Sequence, residues 1–214
     1  MLRLVDRLSD RLHVQARRVK MHDFVRLCNP GPDSSVLDVG VLGDENYEAA
    51  NFFLKEYPYP GNLTALTIEH CRELPRKYPS VRFVTYDGRE FPFADNSFAV
   101  CHSNAVVEHV GDWEQQRLFV SQMIRVARRG FFTTPNRWFP IDLHTKTAFL
   151  HYLPRTASLK LYRILRLEAA MRDVRLLGHG QVRTLIEGAS VSQYQILENR
   201  VLGMTVTFSV YWCK

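Results

Sequence analysis

Residues 34–44 read SSVLDVGVLGD, an apolar run with one acidic residue inside it and two glycines behind it. Val36, Leu37 and Val39 favour a buried strand. Gly40 and Gly43 can take positive φ and let another group approach the backbone with no side chain in the way. A strand that feeds a glycine turn and then a helix is where open α/β sheets hold nucleotides. The match to a dinucleotide GxGxxG is incomplete, because Leu42 stands at the second glycine.

The rest of the chain repeats the strand-and-helix rhythm. Working outward, LTALTIE (63–69), VRFVTY (81–86), Phe98–Ser103 and GFFTT (130–134) read as four further strands. Helices are expected at 45–57, at 71–78 with a break near Pro75, and at 112–128. Alternation at these lengths means βαβ units and a parallel sheet. Before the first strand, Leu4, Val5, Leu8, Leu12, Val19 and Phe24 recur at helical spacing, giving one or two amphipathic helices over 1–30 that pack on the domain. Beyond residue 136 the rhythm changes: an aromatic and histidine-rich stretch, a helix at 159–172, a short helix at 181–187, then two strands at 193–198 and 204–212. The tight turn joining these two makes them an antiparallel pair.

At 214 residues the chain suits one α/β domain with a full core. It has no apolar run of membrane-spanning length, and its N-terminal residues mix charge with apolar side chains, so a cytoplasmic location is expected. Cys28, Cys71, Cys101 and Cys213 are widely spaced and read as buried thiols. The net charge of +6 comes from scattered basic residues, so nucleic acid is not an expected partner, while peripheral membrane contact stays open. Oligomeric state is not encoded in any pattern.

Three carboxylates fall at successive strand ends: Asp38 in the first strand, Glu69 at the end of the second, Asp87 after the third. In a parallel sheet those ends share one crevice. A carboxylate after the second strand can accept both ribose hydroxyls, and one after the third can accept an adenine amino group. These features resemble the class I S-adenosylmethionine-dependent methyltransferases of the small-molecule type, over about residues 36–136 and again in the terminal strand pair. VLDVGVLGD is similar to the family's first motif and LTIEH to its second. YDGREFPFADNSFAVCHSNAVVEHV, residues 86–110, is similar to the third and fourth together, and GFFTTPN to the fifth strand. Leu42 and Asp44 replace later glycines of the first loop, and Ala99 replaces an aspartate common in the family.

The resemblance implies a Rossmann-like, seven-stranded, mostly parallel sheet with the last strand antiparallel and helices on both faces. It also implies S-adenosylmethionine as cofactor, held by Asp38, Gly40, Val41, Gly43, Glu69, His70, Asp87, Gly88, Ser103 and Asn104. Methyl transfer from a sulfonium is an in-line displacement that rests on alignment, so a base is optional. For a hydroxyl acceptor, His109 is the candidate catalytic group, whereas His102 lies within a strand and reads as a core histidine. The stretch NRWFPIDLHTKTAFLHYLP, 136–154, opens a lid-like insertion over 136–176. Asn136, Trp138 and His144 in it are candidates for binding the acceptor. No metal is expected, because the spacing of Asp142, His144 and His151 matches no compact motif. The expectation is a single-domain methyltransferase acting on a small or amphipathic acceptor. A non-catalytic methyltransferase-like module or an RNA methyltransferase are the alternatives.

Overall fold

A computed structural model describes residues 2–45, 47–189 and 191–214, with residues 2–13 described through their backbone only. The expected apolar spacing of Leu4, Val5, Leu8 and Leu12 therefore lies outside the described side chains. One continuous helix, α1 (Leu2–Cys28), precedes the first strand. It is followed by β1 (Val36–Val39), α2 (Phe52–Glu56), β2 (Leu63–Thr67), α3 (Leu74–Lys77), β3 (Arg82–Thr85), β4 (Phe98–Asn104), α4 (Trp113–Val126) and β5 (Ala127–Pro135). Helices α5 (Arg155–Ile164), α6 (Glu168–Met171) and α7 (His179–Glu187) and the strands β6 (Gln193–Val201) and β7 (Met204–Cys213) complete the chain.

Among the described residues the strands form a seven-stranded sheet in the order β3-β2-β1-β4-β5-β7-β6. β1 pairs in parallel with both β2 and β4, with Asp38 opposite Ala65 on one side and His102 on the other. β2 and β3 are also parallel, whereas β6 and β7 are antiparallel. The turn between these last two uses Leu202 and Gly203, both at positive φ. The expected strand content, parallel body and antiparallel terminal pair are all present.

Three expected helices differ from the observed ones. The predicted 45–57 helix is reduced to α2, because Asn51 adopts a left-handed conformation (φ 48°) that ends any helix entering from its N-terminal side. The helix expected at 159–172 is two, α5 and α6, parted at Arg166, where φ is 59°. The third, the 71–78 helix, shrinks to the single turn of α3, with Pro75 in its first turn, where a missing N–H costs nothing.

The chain divides into two compact units: residues 1–103 with 123–131, and residues 104–122 with 132–214. In the first, Phe24 of α1 is fully buried, its ring edge-on to Phe53 at 4.9 Å and to His102 at 5.3 Å. Burying a phenylalanine of this kind contributes about 1.5–3 kcal/mol, which fastens α1 to the sheet. Every residue of β1 and β2 is buried, as strands covered on both faces must be. In the second unit, Phe132 of β5 packs near Trp212 of β7, Val182 and Ile186 of α7 and Phe208 and Val210 of β7 are buried, and the His179 ring lies edge-on to Phe208. A smaller cluster of Tyr162, Met171 and Val174 supports α5 and α6.

Candidate functional site

In the first unit, the chain leaves β1 through Gly40, whose φ of 90° excludes a side chain, and whose N–H donates to the Leu66 carbonyl at 2.9 Å. The loop beyond is held at two points. Asn51 accepts the Leu42 N–H through Oδ1 at 2.9 Å and donates Nδ2 to the Leu42 carbonyl at 3.0 Å, so its amide acts as a pairing strand. Glu69 Oε2 accepts the Gly43 N–H at 2.6 Å, a charge-assisted bond. A Cβ on Gly43 would stand 2.5 Å from that same oxygen, so only glycine admits the contact.

Glu69 lies two residues beyond the end of β2, on an exposed turn shared with Ile68 and His70. Ile68 is 65% exposed, an unusual state for a side chain issuing from a wholly buried strand, and it lies under Gly88 of the next strand end. Gly88 has φ 82°, and the exposed Asp87 before it turns its Oδ1 to the Arg89 N–H at 2.9 Å. Each carboxylate retains acceptor capacity, since an ionised carboxylate has about four lone-pair sites. Val41 is buried, and Ser103 at the end of β4 is buried with its hydroxyl donating to the Val39 carbonyl at 3.1 Å.

Asp38 is placed differently from the other two acids. Its carboxylate is buried and meets His102 Nδ1 at 2.7 Å, while the His102 ring stacks on Phe53 with centroids 3.8 Å apart. That pair belongs to the sheet interior beneath α1, and His102 is a core histidine as its strand position suggests.

In the second unit, Asn104 Oδ1 accepts the Thr133 hydroxyl at 2.9 Å. A 3-10 turn, Val107–His109, follows β4 and carries Glu108 and His109. Glu108 is fully buried, its Oε2 accepting the Thr134 hydroxyl at 3.1 Å. His109 is exposed, and its Nε2 lies 3.2 Å from Nε2 of His144. His144 is supported from behind: Asp142 Oδ2 faces its Nδ1 at 3.4 Å, and Asp142 Oδ1 accepts the N–H groups of His144 and Thr145 and the Thr145 hydroxyl. Desolvation of its ring, then the neighbouring His144, lower the His109 pKa to about 4. For His144, desolvation pulls the other way, but the hydrogen bond and charge of Asp142 leave its pKa above the ordinary value. Against desolvation, those same bonds hold the Asp142 carboxyl below its usual range.

Asn136 is structural in part: its Nδ2 donates to the Thr205 carbonyl and its Oδ1 accepts the Trp138 N–H. Trp138 is 60% exposed, its Nε1 so close to Gly178 that a Cβ there would stand 2.9 Å away. Ile141, Phe149 and Leu153 are exposed on the same segment. Residues 136–154 thus combine apolar surface with the Asp142–His144 turn.

The spacing of the sequence did not disclose three contributors. Ile68 reads as the inward end of a strand, Asn51 as helix interior, and Glu108 as the neighbour of a more conspicuous histidine. The Asp-x-His-Thr order at 142–145, an Asx turn, is the one signal that could have marked the support of His144.

The residues of the first unit fit an adenosine: an exposed acid beside a glycine backbone, an exposed isoleucine for a base to lie on, and a second acid at the next strand end. A family model described as a methyltransferase domain matches residues 37–132. No curated protein matches the chain significantly. Solved structures do. An S-adenosylmethionine-dependent methyltransferase from Methanosarcina mazei is 12% identical with a TM-score of 0.53, covering 90% of this chain and 96% of that one. A Thermotoga maritima methyltransferase, described as a possible histamine N-methyltransferase, is 13% identical with a TM-score of 0.57, covering 100% and 95%. Geranyl diphosphate C-methyltransferase from Streptomyces coelicolor is 11% identical with a TM-score of 0.58, covering 92% and 79%. At such identities these structures speak for the fold alone, and the family model speaks for residues 37–132. Among the described residues no helix is long and apolar enough to cross a membrane. Residues 37–132 thus match a methyltransferase domain, within a sheet that shares its fold with solved S-adenosylmethionine-dependent methyltransferases.

Proposed function

We propose that the chain transfers a methyl group from S-adenosylmethionine to a small or amphipathic acceptor, with residues 1–214 acting as one methyltransferase module and 136–176 as its acceptor-side lid. Glu69 accepts the ribose hydroxyls, Asp87 and Gly88 meet the adenine, and the backbone of Gly40, Val41 and Gly43 lies along the rest of the cofactor, with His70, Ser103 and Asn104 near it. The role of Asp38 is indirect: paired with His102, it fixes the strand from which the loop departs. When bound, the cofactor supplies an electrophilic methyl group, and the protein has to align the acceptor with it. His109 is the catalytic contact to the acceptor, steadied by His144 and Asp142, and Trp138 gives the acceptor its apolar support.

The observation that carries the acceptor class is the make-up of residues 136–154. Trp138, Ile141 and Phe149 are exposed at 60%, 46% and 58%, on the same segment as a buried aspartate that orients a histidine. Apolar surface with a few fixed polar groups is the make-up of a small-molecule site. Trp138→Ala tests it. Because the side chain is mostly exposed, the melting temperature and cofactor affinity should stay near those of the parent, while KM for the acceptor rises about tenfold or more, the loss of about 1.4 kcal/mol. A large loss of stability with unchanged acceptor kinetics would make Trp138 a packing residue only.

A further inference from the structure

We propose that Glu108, His109 and His144 form a binding site for one divalent first-row transition metal ion of the zinc class. Each offers one ligand atom, and the three atoms lie within 4.8 Å of one another. The two Nε2 atoms are 3.2 Å apart. Two nitrogens bound at about 2.0–2.1 Å to a tetrahedral ion stand about 3.3–3.4 Å apart, so the imidazoles already hold the ligand edge that such an ion requires. The carboxylate has to close by no more than about 1.5 Å, which a side-chain torsion supplies.

The surroundings match what metal ligands need. A metal-binding histidine is commonly oriented through its other ring nitrogen by a carboxylate, and a ligating carboxylate by a hydrogen-bond donor. His144 turns Nδ1 to Asp142, whose own position is fixed by the Thr145 N–H and hydroxyl at 2.7 and 2.8 Å. Glu108 is fully buried and receives the Thr134 hydroxyl. Two imidazoles with one carboxylate select zinc, iron, cobalt or nickel over calcium and magnesium, which favour all-oxygen sets. Three protein ligands, one of them on an exposed residue, leave a position open to an outside oxygen or nitrogen donor, as catalytic rather than structural sites do. On the methyltransferase reading above, that donor is the acceptor, which His109 would then meet through the ion it shares with His144. The metal site itself stands without that reading.

The rival arrangement is a plain N–H···N hydrogen bond between the two imidazoles, with no affinity for metal. To separate them, the tag-free 214-residue chain is stripped with a chelator and titrated with Zn²⁺ by calorimetry, then loaded with Co²⁺ for visible absorption. The proposal expects one equivalent of Zn²⁺ and a Co²⁺ ligand-field band displaced by Zn²⁺. His109→Ala, His144→Ala and Glu108→Gln should each weaken binding at least 100-fold. Thr134→Val should weaken it about 10- to 100-fold, the range for removing an outer hydrogen bond. The exposed His22 of α1 serves as control, and His22→Ala should leave binding unchanged. Circular dichroism checks the fold of each variant, and the parent's Co²⁺ spectrum decides the matter even where a variant fails to fold. No bound Zn²⁺ and no Co²⁺ band in the parent, or parental affinity in folded His109→Ala and His144→Ala, would overturn the proposal. S-adenosylhomocysteine binding, measured on the metal-free chain, reports separately on the methyltransferase reading.

Discussion

Replacing Glu69 by alanine removes the side chain that holds the Gly43 N–H at 2.6 Å and that we propose accepts the ribose hydroxyls. A hydrogen bond to a charged group contributes about 1.5–3 kcal/mol, so Glu69→Ala should raise Kd for S-adenosylhomocysteine about 10- to 150-fold. The fold should be nearly indifferent, because the residue is exposed on a turn beyond β2 and β2 itself is unchanged. Glu69→Gln keeps one carbonyl acceptor and should fall between parent and alanine. Gly43→Ala reaches the same site from the other side, since its Cβ would stand 2.5 Å from Glu69 Oε2 and 3.2 Å from Glu69 Cβ. It should therefore displace the carboxylate and weaken cofactor binding to a similar degree. Calorimetry with each variant, beside urea unfolding, separates affinity from stability. Parental affinity in a folded Glu69→Ala chain would refute the placing of the ribose at this strand end.

Two further outcomes follow from the first unit. His102→Ala leaves the Asp38 carboxylate buried without its imidazole and removes the stack on Phe53; both partners are under a tenth exposed, so urea unfolding should show a loss of about 3–5 kcal/mol, and a loss below about 1 kcal/mol would contradict the pairing. Asn51→Gly preserves the left-handed backbone but deletes both hydrogen bonds to Leu42, so the Leu42 amide should exchange faster with solvent while the β1 and β2 amides keep their protection; unchanged exchange at Leu42 would show that the amide does not hold the loop.

The strands were written plainly in local pattern. Val36–Val39 and Leu63–Thr67 are short, mostly apolar runs, with Gly40 after the first and Asn62 before the second, and burial on both faces makes such runs continuous rather than alternating. Helix α2 was not, because Tyr47, Ala50, Phe53 and Leu54 satisfy a helical period while the amide of Asn51 is drawn to a backbone nine residues earlier. That contact is tertiary and leaves no mark on the period. The acids at the ends of β2 and β3 were readable because a parallel sheet brings such ends together whatever the intervening residues are. Asp38 shared their pattern but points into the sheet, where His102, 64 residues away, receives it. The cluster of Glu108, His109 and His144 was hidden for the same reason: 35 residues separate its histidines, and no spacing rule spans that distance.

A crystal structure of residues 1–214 with S-adenosylhomocysteine would show where the nucleoside lies. The ribose hydroxyls should lie within hydrogen-bonding distance of Glu69, the adenine against Ile68 with its amino group toward Asp87, and the remainder of the molecule along Gly40–Gly43. A nucleoside bound anywhere else, or none bound at millimolar ligand, would contradict this placing.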